Sequence, residues 1–303
     1  MASVTADSPR VDQLTEQSGR MAAVAAVRAC RLDPGTVSLV RMGSRAVFRL
    51  ADHRVLARVT TREHRDGALR EVEVARWLHA AGVPVDQPWP DAPVHEENGL
   101  VTTLWRARDG DWASTRDLAM VLNFLHGVPG ETAPPLPAWD PFPEMRSRLM
   151  RSDALARAER LKLVALVDAC ERRLRKVDFV LRTGVIHGDA SVGNMIRTEA
   201  GELVLFDLEG VCTGPAEWDL VITSVYRELG WHTDDEYRDF VQAYGFDVSQ
   251  WDGYRDLADA QKLRMVCWLA GKVTAGDEGT LAELRRRIES VDRTGPPYEW
   301  QPL

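Results

Sequence analysis

The chain has 303 residues, 45% hydrophobic and 28% charged, an ordinary globular composition that excludes wholesale disorder. Its net charge of −8 lacks the basic excess that a general nucleic-acid binder uses to neutralise phosphates. No uninterrupted apolar run approaches the roughly 18 residues of a membrane span, so no membrane partner is expected.

Residues from about Glu16 to Arg31 place Met21, Val24 and Val27 at helical spacing. Thr36–Leu39, Ala46–Leu50 and Val55–Thr60 read as short strands rich in β-branched or aromatic residues, with turns at Gly43–Ser44 and Asp52–His53. Arg62 to Ala81 is expected to be a helix, since Leu69, Val72, Ala75 and Leu78 share a face and Gly82 stands past the end. Val83–Pro88 and Leu100–Trp105 complete a strand-rich first third. The pattern then turns helical. Trp112–Leu125 is amphipathic, Val128–Pro143 is a proline-rich loop, and Asp153–Val177 reads as a long helix capped by Ser152 or Asp153. Val185–Ile196 and Leu203–Leu208 are apolar pieces around turns, followed by helices at Trp218–Leu229, Asp234–Tyr244, Tyr254–Ala270 and Leu281–Val291. This layout divides the chain into a β-rich segment, residues 1–105, and a helical segment, residues 106–303, with a hinge near Trp105–Arg108.

Cys30, Cys170, Cys212 and Cys267 form no CxxC pair or Cys/His cluster, which suits reduced thiols in a cytoplasmic protein. No apolar run follows a basic stretch at the start, so no secretory signal is expected. Lysine occurs only at Lys162, Lys176, Lys262 and Lys272, among 38 basic residues. The β-rich segment therefore has arginine as its only strong cation.

The sharpest chemical signal is Val185-Ile186-His187-Gly188-Asp189-Ala190-Ser191-Val192-Gly193-Asn194-Met195-Ile196, followed by Leu203-Val204-Leu205-Phe206-Asp207. Phosphoryl transfer asks little covalent chemistry of a protein. It needs a carboxylate at the acceptor hydroxyl and oxygen ligands for a metal ion on the phosphates. Asp189 suits the first role, and Asn194 with Asp207 the second. The plainer alternatives are an aspartate capping a turn, an asparagine satisfying loop backbone, and an aspartate opening the turn before Gly210.

HGD followed by four residues and Asn, then an apolar strand ending in Asp, resembles the aminoglycoside phosphotransferase family and its choline and homoserine kinase kin. The resemblance covers nearly the whole chain, because the order of segments also agrees. It implies an α+β, protein-kinase-like bilobal fold with a small β-rich N-lobe and a larger helical C-lobe. It further implies Mg2+, with ATP or GTP as phosphate donor and a small-molecule hydroxyl as acceptor. An antibiotic or related natural product is the first expectation for that acceptor. A metabolic kinase of the choline, homoserine or sugar type is the alternative, and an inactive nucleotide-binding pseudokinase is a third reading. Asp189 then takes the catalytic position, and Asn194 and Asp207 the metal positions. His187 reads as structural rather than as a base, and Asp219 as a buried brace of the catalytic loop.

The resemblance also calls for a third-strand lysine paired with a helix glutamate, and here the sequence departs from it. The matching place in Val55-Leu56-Ala57-Arg58-Val59 holds Arg58, whose guanidinium can grip phosphate oxygens and accept a carboxylate partner. Glu71 is its expected partner and Glu73 the alternative, while an exposed arginine on an alternating strand is the plain reading. The turn Gly43-Ser44-Arg45 between the first two strands is a candidate to close over the phosphates, and backbone near Thr103–Arg106 to meet the base. In the last third, Trp231, Asp234, Asp235, Glu236 and Asp239 form an acidic, aromatic stretch. It reads equally as acceptor site or as a solvated helix start.

Overall fold

The computed structural model describes residues 14–43, 45–50, 54–274, 276–293 and 298–302. The expected turn at Asp52–His53 and the candidate Ser44 lie outside them. The elements run α1 (Glu16–Ala29), β1 (Val37–Met42), β2 (Ala46–Leu50), β3 (Val55–Thr61), α2 (Arg65–Ala80), β4 (His95–Glu97), β5 (Leu100–Arg106) and β6 (Gly110–Trp112). They continue α3 (Thr115–His126), α4 (Phe142–Arg151), α5 (Arg157–Leu174), β7 (Thr183–Ile186), β8 (Met195–Thr198), β9 (Leu203–Leu205) and β10 (Cys212–Pro215). The helices α6 (Glu217–Glu228), α7 (Asp234–Tyr244), α8 (Tyr254–Ala270) and α9 (Glu278–Ser290) follow. The fold is the protein-kinase-like α+β one, a β-sheet lobe and a helical lobe.

Two compact units result. The first holds the chain up to Asp111 and takes back Ile196–Glu209, and the second holds Trp112–Met195 and Gly210–Leu303. The division therefore falls six residues beyond the expected 105/106 boundary, and the first unit is discontinuous. The hairpin of β8 and β9 brings Asp207 into it.

In the first unit the sheet order is β1-β2-β3-β5-β4, with every neighbouring pair antiparallel. Strand alternation sends Val55, Ala57 and Val59 to a fully buried face, where α1 contributes Ala23 and Val27. Leu56, Arg58 and Thr60 point to the other face. Thr15 caps α1 through a capping box with Ser18. Helix α2 begins later than the expected Arg62, because Arg62–His64 forms a 3-10 turn first. The expected strand Val83–Pro88 is not one. Pro84 and Pro88 remove ladder donors, and the segment makes only isolated bridges, Val85 to Leu205 and Pro88 to Trp105.

In the second unit α8 is buried on most sides and packs against α4, α5, α6 and α9. The expected long helix Asp153–Val177 is the shorter α5, and α4 precedes it where no helix was expected. Ser152 ends α4 rather than starting α5, and its buried hydroxyl donates to the Ala270 carbonyl at 2.5 Å. Helix α3 starts at Thr115, not Trp112, under a Ser114–Asp117 capping box. Strands β7 and β10 pair antiparallel, with Ile186 opposite Cys212. The four cysteines are free thiols, and among the described residues no helix is long and apolar enough to cross a membrane.

Candidate functional site

The strand that carries Arg58 faces its guanidinium toward one carboxylate on α2 and a second in the segment after it. Nη1 donates to Glu71 Oε1 at 2.8 Å and Nη2 to Asp86 Oδ2 at 2.5 Å. The guanidinium carbon lies 4.1 Å from the centre of the Trp105 ring, a cation–π distance. With 12% of its side chain exposed, Arg58 is not the solvated arginine of the plain reading. Glu71 is buried and Glu73 exposed, so Glu71 is the partner. Burial pushes the Asp86 carboxyl up, against the pull of Arg58. Gly43 N–H donates to the Arg45 carbonyl at 3.0 Å, closing the turn between β1 and β2. Arg45 reaches Glu71 as well, with Nη1 donating to Oε2 at 2.8 Å. Its Nη2 contacts Glu209 and lies 3.7 Å from Asp207 Oδ1. Asp207 follows β9 in a left-handed backbone conformation, φ 62°, which aspartate tolerates better than most residues.

The second unit carries Asp189 on a loop fixed from three sides. Asp219, with no exposed surface, accepts from His187 N–H at 2.6 Å and from Gly188 N–H at 2.8 Å. Its Oδ2 also meets His126 Nε2 at 3.0 Å. Trp218 Nε1 donates to the Gly188 carbonyl at 3.0 Å. Asn194 Nδ2 donates to the Asp189 carbonyl at 2.8 Å. Gly188 has φ +83°, and a Cβ there would lie 2.3 Å from the Gly210 carbonyl oxygen, so only glycine fits. His187 is fully buried, with Nδ1 facing the Asp189 N–H at 3.3 Å, a structural placement.

The Asp189 side chain is 43% exposed, and its Oδ1 accepts from Arg264 Nη2 at 2.5 Å. Burial alone would raise its pKa, but Arg264 outweighs that and holds the carboxyl below the ordinary range. Arg264 also donates from Nε to Gln261 Oε1 at 3.1 Å. The acidic stretch is a helix start: Asp234, Asp235 and Glu236 form the exposed first turn of α7, capped by a Thr233–Glu236 box. Trp231 is engaged internally, donating to the Trp300 carbonyl at 2.9 Å.

Within the first unit, then, Arg58 and Glu71 come together with Arg45, Asp86 and Asp207. Within the second, Asp189 and Asn194 come together with His187 and Asp219. Sequence reasoning missed Asp86, Glu209 and Arg264 and gave Arg45 only a place in the turn over the phosphates, with no partner. The only available hints were an aspartate closing the apolar Val83-Pro84-Val85 run and an arginine directly after the Gly43–Ser44 turn. As metal donors, Asn194 and Asp207 suit a hard divalent ion. The Asn194 amide spends its N–H on the loop and keeps its oxygen, and the Asp207 carboxylate is 35% exposed. Among the described residues no three His, Cys, Asp or Glu side chains form a metal cage of their own. An ion on either donor would lean on phosphate and water oxygens as well, as Mg2+ commonly does.

A β-sheet unit with a strand arginine paired to a helix glutamate, and a helical unit with a braced aspartate loop, define a kinase-type phosphotransferase. The profile of the phosphotransferase enzyme family matches residues 37–257, and the chain belongs to that family. Arg264 lies beyond the matched segment. No curated protein matches the sequence significantly. Among solved structures, the chain resembles amicoumacin kinase hAmiN in complex with AMP-PNP, Ca2+ and Ami. Identity is 15%, with 92% of this chain and 96% of that one covered and a TM-score of 0.70. It also resembles aminoglycoside phosphotransferase APH(3'')-Id from Streptomyces rimosus in complex with ADP and streptomycin, at 20% identity, coverage of 83% and 99%, and a TM-score of 0.64. Choline kinase LicA from Streptococcus pneumoniae follows at 17% identity, 88% and 97% coverage, and a TM-score of 0.60.

Proposed function

We propose that the protein transfers the γ-phosphate of ATP or GTP to a hydroxyl of a small molecule, and that this acceptor is an antibiotic or a related natural product. The observation that carries the reading is Asp189, a half-exposed carboxylate on a loop fixed by Asp219, Trp218 and Asn194. In this reading Asp189 orients the acceptor hydroxyl and takes its proton as the oxygen bonds to the γ-phosphorus. The bond from that phosphorus to the bridging oxygen breaks, and the nucleoside diphosphate leaves. A carboxylate held below the ordinary range is a weak base, which suits late proton uptake in a loose transition state.

Arg58, fixed by Glu71, acts on the phosphates together with Gly43 and Ser44 of the turn. Asn194 and Asp207 would hold a divalent ion, Mg2+ in this reading, which supplies charge neutralisation on the phosphates when bound. The antibiotic acceptor draws support from the amicoumacin kinase and the streptomycin-bound enzyme among the structural relatives. The choline kinase among them supports the metabolic alternative of choline, homoserine or a sugar.

The test is incubation with ATP or GTP and a panel of aminoglycosides, macrolides, nucleoside antibiotics, choline, homoserine and sugars. An antibiotic product heavier by one phosphate is the expected result. Phosphorylation of choline, homoserine or a sugar alone would replace the acceptor. Failure to bind either nucleotide would overturn the transfer reading.

A further inference from the structure

Glu71 serves two arginines, and they are not equivalent. Arg58 has both terminal nitrogens on carboxylates, Glu71 and Asp86, and its face lies over Trp105. Arg45 is more exposed, at 22% of its side chain against 12%, and only its Nη1 is tied to a buried group, Glu71. Its Nη2 is turned to Asp207 and Glu209, which are 35% and 59% exposed. Two arginines thus face four carboxylates, Glu71, Asp86, Asp207 and Glu209, within one unit. A divalent ion arriving at Asp207 would offset that excess of negative charge and make Arg45 surplus there. The triphosphate it accompanies brings negative charge that needs a cation. A guanidinium 3.7 Å from a carboxylate that binds the ion stands within reach of the ion's phosphate ligands too.

We propose that Arg45 is a phosphate-binding arginine held in reserve on Asp207 and Glu209, and that it turns to the nucleotide phosphates as Asp207 takes up the ion. Its Nη1 stays on Glu71 throughout, so the swing is short and hinged. Arg58, on the phosphates in the reading above, also fixes Glu71 as that hinge. This rests on the nucleotide-dependent reading above and divides between two arginines the work assigned to a single strand cation.

The test titrates wild type, Arg45→Ala and Glu209→Gln with Mn2+ alone, following free Mn2+ by electron paramagnetic resonance, and then with Mn-ATP and Mn-GTP by calorimetry. Removing the guanidinium removes a competitor for the ion, so Arg45→Ala should bind Mn2+ alone about two- to five-fold more tightly, the scale of a partly exposed ion pair. The same variant should bind Mn-nucleotide about ten-fold more weakly, the scale of a lost charge-assisted contact. Glu209→Gln keeps Arg45 and loosens its anchor, so its Mn-nucleotide affinity should equal or exceed that of wild type. Affinities that stay unchanged in Arg45→Ala, or move in the same direction, would overturn the proposal, as would a ten-fold weakening in Glu209→Gln. If wild type bound neither nucleotide, the transfer reading itself would fall, and the reserve role with it.

Discussion

Asp219→Asn is the substitution from which the structure predicts most. The carboxylate has no exposed surface and accepts from two backbone N–H groups of the Asp189 loop and from His126. An asparagine of the same shape offers one oxygen and one N–H2. One of the two loop N–H groups then faces another donor and is left unsatisfied in the interior. A buried polar group without a partner costs about 1–3 kcal/mol, and repulsion between facing donors adds to that. Loss of about 2–4 kcal/mol would leave a protein of ordinary stability folded, with a melting temperature lowered by roughly 5–15 °C. Because the lost partner is the backbone of His187 or Gly188, one or two residues before Asp189, the loop loosens where the acceptor hydroxyl is to be held. Turnover should fall by about 10-fold or more, since an ångström of misplacement can cost 100-fold. Nucleotide affinity, which the proposed function assigns to the first unit, should be nearly unchanged. Thermal melting, nucleotide calorimetry and steady-state kinetics measure the three quantities. A variant with wild-type melting and turnover would refute the bracing role of Asp219, and a variant that lost nucleotide affinity instead would refute the division of labour.

Further outcomes follow from the same geometry. Arg58→Ala should weaken nucleotide binding more than Glu71→Ala, and the double variant should be no worse than Arg58→Ala; full additivity by calorimetry would show that the two do not act as a unit. Gly188→Ala pays about 1–2 kcal/mol for the left-handed conformation alone and overlaps the Gly210 carbonyl besides, so it should melt several degrees below wild type and lose turnover. Arg264 keeps Asp189 ionised to below the ordinary carboxylate range, so wild-type activity should persist as pH falls until it reaches that low value. In Arg264→Gln burial acts unopposed by that cation, and the acidic limb of the kcat/KM profile should move to higher pH; an unmoved limb would count against the contact. Burial pushes the Cys170 and Cys267 thiols up to about 12, so maleimide at pH 8 should label the half-buried Cys30 well before either, as peptide mapping by mass spectrometry would show.

The fold was legible where local pattern and tertiary context agree. Asp234–Tyr244 and Tyr254–Ala270 stand at the spacing-derived limits, the first under a capping box and the second with Gly271 as its cap residue. Where long-range contacts decide, the pattern misleads. Ser152 and Asp153 read locally as starting caps, but the Ser152 hydroxyl is drawn to the Ala270 carbonyl, Ser152 closes α4 instead, and α5 begins only at Arg157. Trp112 has helical spacing yet belongs to β6, paired beside β8.

The site divides in the same way. His187, Gly188, Asp189 and Asn194 lie within eight residues, so their spacing is readable. Arg45 and Arg58 find their partners 26 and 28 residues away and Arg264 finds its partner 75 residues away, distances that only the folded chain closes. Arg58 and its nearer partner Glu71 are readable from the third-strand position, but in a chain so rich in arginine no local signal singles out Arg264 or gives Arg45 its partners.

The central claim is that Asp189 serves the acceptor hydroxyl and not the nucleotide. The most direct measurement is Asp189→Asn, assayed for nucleotide affinity by calorimetry and for phosphate transfer to whichever acceptor the panel identifies. Affinity for the metal-nucleotide complex should stay within about two-fold of wild type while transfer falls by about 10²–10⁴-fold. Transfer at the wild-type rate would contradict the account.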